Sequence, residues 1–359
     1  MHRLSLFTLL GFLTLLSSCG GERMNDPVVA TTETLDFVLT EVIDNSVVPA
    51  VEDFYEQSVA LKALSTAFCD QSTLTNLEVV RQEWRDVFSS WYRLSNYNFG
   101  PLNDNPVFPA YIFIDSLRLR GTDYTDTLQA DISNNLVNDI VLEDAYFTSL
   151  TFQRMGLLAL ELVAFETASD DHSRDINDIL LEYQNTPRKC DMLLGYATQI
   201  EVRMADVVNE WNVSYSGSTD SYRTVFLNAE LSDGTAPITL LIVSVQEFID
   251  YLRSRDVVST AAQASDYSWQ AISASIDEIE ELLIGTEETT VSLVDLMIGT
   301  GNELAVSTVM ENIASARVAI EQEDTVLLEV ALSVLDGNFK REIPDSLEVD
   351  LGFNFTDGD

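Results

Sequence analysis

The stretch from Phe152 to Glu166 constrains this chain most, because it combines a nearly unbroken apolar helical pattern with a single internal acid. Leucine, alanine and aromatic residues recur there at helical spacing, so most of the helix circumference is apolar. The internal acid is Glu161. A buried carboxylate costs free energy unless it is paired or hydrogen-bonded. The sequence therefore predicts a buried helix whose acid has either a structural partner or a chemical role.

Helical periodicity also covers most of the remaining chain, whereas alternating strand patterns are short and few. The sequence predicts helices over 31–69 with a break near Pro49, and over 75–97, 142–166, 176–211, 237–253, 267–284, 303–322 and 326–335. A longer irregular stretch is expected over 101–126. These patterns predict an all-α fold of the bundle type.

The segment 213–224 is rich in Ser, Tyr and Gly and is the predicted boundary between two helical-bundle domains. On this interpretation the first bundle covers 31–212 and carries Glu161, and the second covers 225–359. The sequence shows no convincing repeat at a fixed short period.

Residues 1–18 are typical of a targeting segment, with Arg3 followed by an apolar run that is too short for a membrane span of about 20 residues. The run ends in Leu16-Ser-Ser-Cys19, which resembles the lipobox of bacterial lipoproteins. That resemblance implies lipidation of Cys19, a tether over 19–30, and attachment to a membrane of the bacterial cell envelope, with the outer membrane favoured. The alternative is an ordinary secretory signal in which the cysteine is coincidental.

The composition excludes one class of function. The 359-residue chain has 19 basic and 59 acidic residues, a net charge of −40. Nucleic-acid binding needs a basic surface, so no nucleic-acid partner is expected. The acid excess is interpreted as a solvated, self-repelling surface in preference to a collector of cations.

Cysteine and histidine are scarce. After Cys19, only Cys69 and Cys190 remain, and the sequence leaves open whether they pair or stay as buried thiols. Once the targeting segment is removed, His172 is the only histidine. A metal site built from several imidazoles is therefore impossible within one copy of the chain.

The hexad from Gly156 to Glu161 resembles the Gly-x-His-x-x-Glu signature of the imelysin-like family, with Leu158 at the histidine position. Further motifs resemble the family in order and spacing: Val47-Val-Pro49, Ala67-Phe-Cys69, Gln82-Glu-Trp84, Asn98-Phe-Gly-Pro101, Arg188, Leu193, Trp211 and Leu351-Gly-Phe-Asn354. The resemblance implies two helical-bundle domains, export with a lipid anchor, and association with iron or haem uptake. Some relatives have been called peptidases, a label that depends on the His–Glu pair.

The candidate site residues follow from this helix and from the turn after the preceding one. They are Glu161, Leu158, Gly156, Arg154, Tyr97 and Phe99. Glu161 is either a cation ligand or base with a raised pKa, or a structural acid paired to an arginine such as Arg154, Arg85 or Arg93, or to polar groups of a neighbouring helix. The structural interpretation is favoured, and Leu158 leads us to expect no tight zinc at this position.

The favoured hypothesis is a non-catalytic, lipid-anchored binding component linked to iron or haem uptake through an envelope transport partner. A metal-dependent hydrolase that uses Glu161 is the alternative, and a structural envelope protein is the third hypothesis. Retention of Glu161 without the histidine favours the first and third hypotheses over the second.

Overall fold

The structure, a computed structural model, describes residues 32–118, 122–229 and 231–351. The predicted targeting segment, Cys19, the tether and residues 352–359 lie outside this part of the chain. The all-α prediction is confirmed, because the described residues contain helices and no strand. No helix within these ranges is both long enough and apolar enough to cross a membrane.

In the first half of the chain, the described residues form nine α-helices. They are α1 (Thr32–Val42), α2 (Val48–Asp70), α3 (Leu74–Leu94), α4 (Ala110–Ile114), α5 (Thr125–Val137), α6 (Asp144–Thr148), α7 (Leu157–Phe165), α8 (Ile176–Asn185) and α9 (Arg188–Asn212). A π-helical turn, Ile43–Val47, joins α1 to α2, and short 3-10 turns occur at Ser95–Tyr97, Gly100–Leu102, Ser116–Arg118 and Phe152–Arg154.

In the second half, the part of the chain that the structure describes forms eight α-helices. They are α10 (Tyr222–Leu227), α11 (Pro237–Ser254), α12 (Val257–Thr260), α13 (Ser268–Ile284), α14 (Leu293–Gly299), α15 (Glu303–Glu321), α16 (Thr325–Lys340) and α17 (Glu342–Leu347). The start of α11 and the end of α13 fall at the predicted residues.

Two packed helix groups form the molecule. Helices α2, α3 and α9 pack together in the first half, and α11, α13, α15 and α16 pack together in the second. Helix α3 also packs along α13, and a single hydrophobic cluster of buried residues runs through both halves. The surface between α3 and α13 therefore joins the two halves.

The break predicted near Pro49 takes the form of the π-helical turn. Helix α2 starts at Val48, so Pro49 lies in its first turn. A proline inside a continuous helix cannot donate to the preceding turn and its ring crowds that turn, and the wider π-helical turn lies at this point. The chain therefore changes helix type before the proline and continues without a loop.

The predicted boundary segment is partly helical. Tyr222 begins α10 and is only 2% exposed. Its ring contacts Trp211 at the end of α9, with the centroids 4.9 Å apart, and contacts Tyr215 at the same distance. The aromatic cluster fixes this segment against the end of α9. The division of the chain into two domains stays a prediction.

Cys69 and Cys190 form a disulfide, with their Cα atoms 5.7 Å apart. Cys69 lies in the last turn of α2 and Cys190 in the first turn of α9. The two cysteines are therefore paired and are not buried free thiols, a choice that the sequence left open. It also joins two of the helices that pack around the candidate site.

Candidate functional site

The helix that carries Glu161 is shorter than its sequence pattern predicts. The prediction of one helix starting near Leu142 is wrong, because α6 and a 3-10 turn come first and α7 begins only at Leu157. Gly156 caps α7 with φ 90° and ψ −163°, a conformation that side-chain-bearing residues rarely adopt. A Cβ atom at Gly156 would lie 2.4 Å from the carbonyl oxygen of Ile114. The glycine of the signature is therefore a steric requirement of the helix start.

The start of α7 is fixed from a second side by α3. The indole Nε1 of Trp84 donates a 3.2 Å hydrogen bond to the carbonyl oxygen of Leu157. Trp84 and Trp91 are both fully buried, and Trp91 donates to the carboxylate of Asp115 over 3.0 Å. These two tryptophans are core residues, which is the usual role of aromatic side chains at helical spacing.

Glu161 lies inside the molecule, and its residue is only 1% exposed. Its Oε1 atom accepts two hydrogen bonds from Ser265, one from the backbone N–H and one from the hydroxyl, each over 2.9 Å. Ser265 belongs to the turn between α12 and α13. The carboxyl of Glu161 thus connects the central helix of the first half to the start of α13 in the second.

Burial raises the pKa of Glu161 to about 7, from an ordinary value of 4.5. The hydrogen bonds from Ser265 stabilise the ionised form and oppose this shift, and the negative charge of Glu166 adds to it. Such a pKa suits a general acid or base near neutral pH. The enclosure of the side chain, however, leaves no open surface for a substrate to approach the carboxyl.

Among the side chains that the structure describes, Glu161 is held by Ser265 and no arginine forms an ion pair with it, in contrast to the arginine alternative of the sequence interpretation. Arg154 binds Asp131 over 2.9 Å. Arg85 lies over the ring of Phe165, with 5.1 Å from its guanidinium carbon to the ring centroid. The Gly156 break displaces Arg154 from the face of α7 on which the uninterrupted pattern would have placed it.

Leu158 precedes Glu161 by one helical turn and is a half-buried side chain packed against the core. It offers no ligand atom, and one oxygen of Glu161 is already bound by Ser265. Across the described ranges, no three His, Cys, Asp or Glu side chains come together closely enough to hold a metal ion. These residues do not fit a metal at the position where the family signature carries its His–Glu pair.

The end of α7 is fixed by charged residues around Glu166. The carboxylate of Glu166 accepts hydrogen bonds from Arg174 and Gln129, each over 2.9 Å. Lys189, fully buried on α9, donates to the backbone carbonyl of Glu166 over 2.8 Å and forms an ion pair with Glu182. Burial lowers the pKa of Lys189, and the carboxylate of Glu182 opposes that change. This network holds α7 against α8 and α9.

A second buried acid, Glu278 on α13, was missed at the sequence level. Its Oε1 accepts a 2.6 Å hydrogen bond from the hydroxyl of Tyr97, and Arg93 approaches its Oε2 to 3.3 Å. Burial raises the pKa of Glu278 to about 7, while the Tyr97 hydrogen bond opposes the shift. Its spacing from Ser275 and Leu282, three and four residues away on the buried face of α13, was the signal that could have identified it.

The remaining two candidates, Tyr97 and Phe99, have different surroundings. Tyr97 is fully buried and is engaged by Glu278, so it belongs to the contact between α3 and α13. Phe99 is 3% exposed, stacks on Phe226 with centroids 5.4 Å apart, and lines a separate cavity. The structure therefore brings Gly156, Leu158 and Glu161 together on α7 and places Arg154, Tyr97 and Phe99 elsewhere.

The fold and the buried acid define an all-helical protein whose central short helix is fixed by a glycine cap and a Glu–Ser contact. The chain belongs to the imelysin family: the family model described as Imelysin matches residues 47–343. None of the curated proteins matches the chain.

Two crystal structures show a similar fold. An imelysin-like protein from Psychrobacter arcticum 273-4 is 14% identical, with a TM-score of 0.66 over 90% of this chain and 98% of that one. A protein described as a candidate iron-regulated protein A precursor from Parabacteroides distasonis ATCC 8503 is 13% identical, with a TM-score of 0.57 over 88% of this chain and 96% of that one.

Proposed function

We propose that this chain is a lipid-anchored component of the bacterial cell envelope that binds a ligand without hydrolysing it and serves iron or haem uptake. The proposal that the protein is not an enzyme rests on the surroundings of the Glu161 side chain. The acid is enclosed, one of its oxygens is held by Ser265, and Leu158 stands where the family signature has its histidine. An enzyme would need this acid to reach a substrate or a metal-bound water.

The link to iron is supported by family membership and by the name of one similar structure. The Parabacteroides distasonis protein is described in terms of iron regulation. The direct test is titration of the purified full-length protein with haem, followed by haem absorbance, and separately with ferric citrate, followed by calorimetry. We expect saturable binding of one of these ligands, and we expect Glu161→Gln to retain it. Failure of both ligands to bind would leave the structural envelope role as the better account.

Export and anchoring are supported by the Leu16-Ser-Ser-Cys19 pattern and by the Cys69–Cys190 disulfide. Disulfides persist mainly in oxidising compartments such as the periplasm. The test is fractionation of cells that produce the parent chain or Cys19→Ser. The proposal expects the parent in the membrane fraction and the variant in the soluble fraction. A variant that stays as firmly attached as the parent would contradict the lipid anchor.

A metal-dependent hydrolase is the second candidate, and one observation favours it: the pKa of Glu161 lies at about 7, in the range of a general base. If the protein is not an enzyme, the parent and the Glu161→Gln variant should show the same background rate of peptide hydrolysis. Peptide hydrolysis by the purified parent that disappears in a folded Glu161→Gln variant would favour the hydrolase instead.

A further inference from the structure

Helices α15 and α16 expose a group of large apolar side chains on one surface. Val326, Leu327, Val330 and Val334 of α16 are between 44% and 68% exposed. The three valines are four residues apart, so they lie on one face of the helix. Val318 of the neighbouring helix α15 is exposed as well. Single exposed apolar residues are ordinary, but a contiguous group of them is typical of an interaction surface.

A groove of about 430 Å³ lies between α15 and α16, and no residue of its lining is charged. The buried residues of the lining are Ala319 and Ala331, whose small side chains leave space between the two helices. The side-chain amide of Asn312 donates a 2.8 Å hydrogen bond to the side-chain oxygen of Asn338, which holds α15 against α16. An apolar groove between two such helices can accept the apolar face of a third helix.

Acidic residues surround this groove. Glu311 lies on α15, one turn before the lining residues, and Glu321 lies at the other end of the same helix. Glu323 lies between α15 and α16, and Glu329 lies on α16 beside Val330. All four glutamates are exposed. We call these four residues the acidic rim.

The basic residues of the two helices are engaged in ion pairs. Arg317, the basic residue of α15, binds Asp277 and Glu280 of α13. Lys340, the basic residue of α16, binds the buried Asp336 over 3.1 Å. Neither helix therefore contributes a free positive charge to the groove, and the acidic rim favours a positively charged partner.

We propose that the groove between α15 and α16 docks an amphipathic helix of another protein, one that carries lysine or arginine beside its apolar face. The apolar face of that helix would cover the exposed valines, and its basic residues would meet the acidic rim. The stripe from Val326 to Val334 spans about 12 Å at 1.5 Å per residue, so a docking helix of about three turns covers it.

Charge distinguishes this partner from other occupants of the groove. A second copy of the chain would bring the same acidic rim against this one, and like charges across an interface cost free energy. The surface of an anionic membrane would be repelled for the same reason. The end of the chain, residues 352–359, contains Asp357 and Asp359 and no basic residue.

The test is isothermal titration calorimetry of the full-length protein with a synthetic helical peptide of about 14 residues that has leucine along one face and lysine on the other. Salt at about 0.15 M screens general attraction to the acidic surface. We expect saturable binding at one site. Val330→Gln places a polar side chain in the groove and should weaken binding about tenfold or more. Glu311→Gln combined with Glu329→Gln should weaken it about fivefold.

Matched controls separate the groove from general attraction to the protein. Val202→Gln makes the same change at an exposed valine of α9 and should leave the dissociation constant unchanged. Glu287→Gln combined with Glu288→Gln removes two exposed charges between α13 and α14 and should also leave it unchanged. A peptide of the same composition, with its leucines spread around the helix, should bind about tenfold more weakly.

Absence of peptide binding, or equal weakening by Val202→Gln and Val330→Gln, would overturn the proposal. A parent that is dimeric in light scattering, with a monomeric Val330→Gln variant, would instead identify a second copy as the occupant. Peptide binding that requires deletion of residues 352–359 would identify the end of the chain. Sedimentation of the Cys19→Ser variant with phosphatidylglycerol vesicles, abolished by Val330→Gln, would identify a membrane surface.

Discussion

Ser265 donates two hydrogen bonds, from its backbone N–H and from its hydroxyl, to a single oxygen of Glu161, each over 2.9 Å. The two residues are 104 positions apart in the chain. Because one lies on the central helix of the first half and the other in the turn before α13, the contact joins the two halves through a buried acid. A buried acid with such partners is a structural element whose protonation affects folding.

The first prediction concerns this protonation. Between pH 4.5 and about 7 the folded protein keeps a proton on Glu161 that the unfolded chain has lost. The free energy of unfolding should therefore fall as pH rises through this window, by up to about 1.4 kcal/mol per pH unit from this group. Glu161→Gln should reduce this slope without abolishing it, because burial raises the pKa of Glu278 to about 7 as well. The slope is measured by urea unfolding at several pH values.

A control is needed for that slope because the net charge of −40 also destabilises the fold as more acids ionise. Glu287→Gln removes the same charge at an exposed position between α13 and α14 and should leave the slope close to that of the parent. If Glu161→Gln and Glu287→Gln give the same pH dependence as the parent, Glu161 is not the buried titrating group described above.

The second prediction concerns the helix start at Gly156. Gly156→Ala should lower the free energy of unfolding by about 2–4 kcal/mol, because the methyl group meets the carbonyl of Ile114 and the backbone conformation is unfavourable for alanine. Gly217→Ala is the matched control, since Gly217 also has positive φ but has open space around it. It should cost about 1 kcal/mol. Equal losses in the two variants would contradict the steric role of Gly156.

The third prediction concerns the disulfide, which closes a loop between residues 121 positions apart. Replacement of both Cys69 and Cys190 by serine should lower the free energy of unfolding by about 2–5 kcal/mol, because the unfolded chain gains conformational freedom. Urea unfolding of the parent with dithiothreitol should show the same loss, and the double variant should not respond to the reductant. A parent whose unfolding is insensitive to reductant would rule out the bond.

Helix positions that depend on the spacing of apolar residues could be predicted from the sequence. The stripe in α13 that includes Trp269, Ile272 and Ile276 predicted a helix ending at residue 284, where the structure ends it. Thr186-Pro187 is another local signal, because proline is compatible with a helix start and α9 begins directly after it at Arg188. These signals are local and depend only on neighbouring residues.

The partners within the site could not be predicted in this way, because they depend on contacts between distant segments. Ser265 lies in a turn without a motif, and nothing in the sequence relates it to Glu161. Arg154 had the right charge and a plausible spacing, but the Gly156 cap interrupts the helix between it and Glu161. Glu278 lies on the buried face of α13 by its spacing, but the sequence does not relate it to its partner Tyr97, 181 positions away.

Glu161 is a structural acid held by Ser265, and Leu158, one helical turn before it, offers no nitrogen ligand. The most direct test is the zinc content of the purified full-length protein after zinc loading and exhaustive dialysis, compared between the parent and Glu161→Gln. We predict far less than one zinc per chain in both proteins, with no difference between them. One zinc per chain in the parent, lost in a Glu161→Gln variant that unfolds at the same urea concentration, would contradict it.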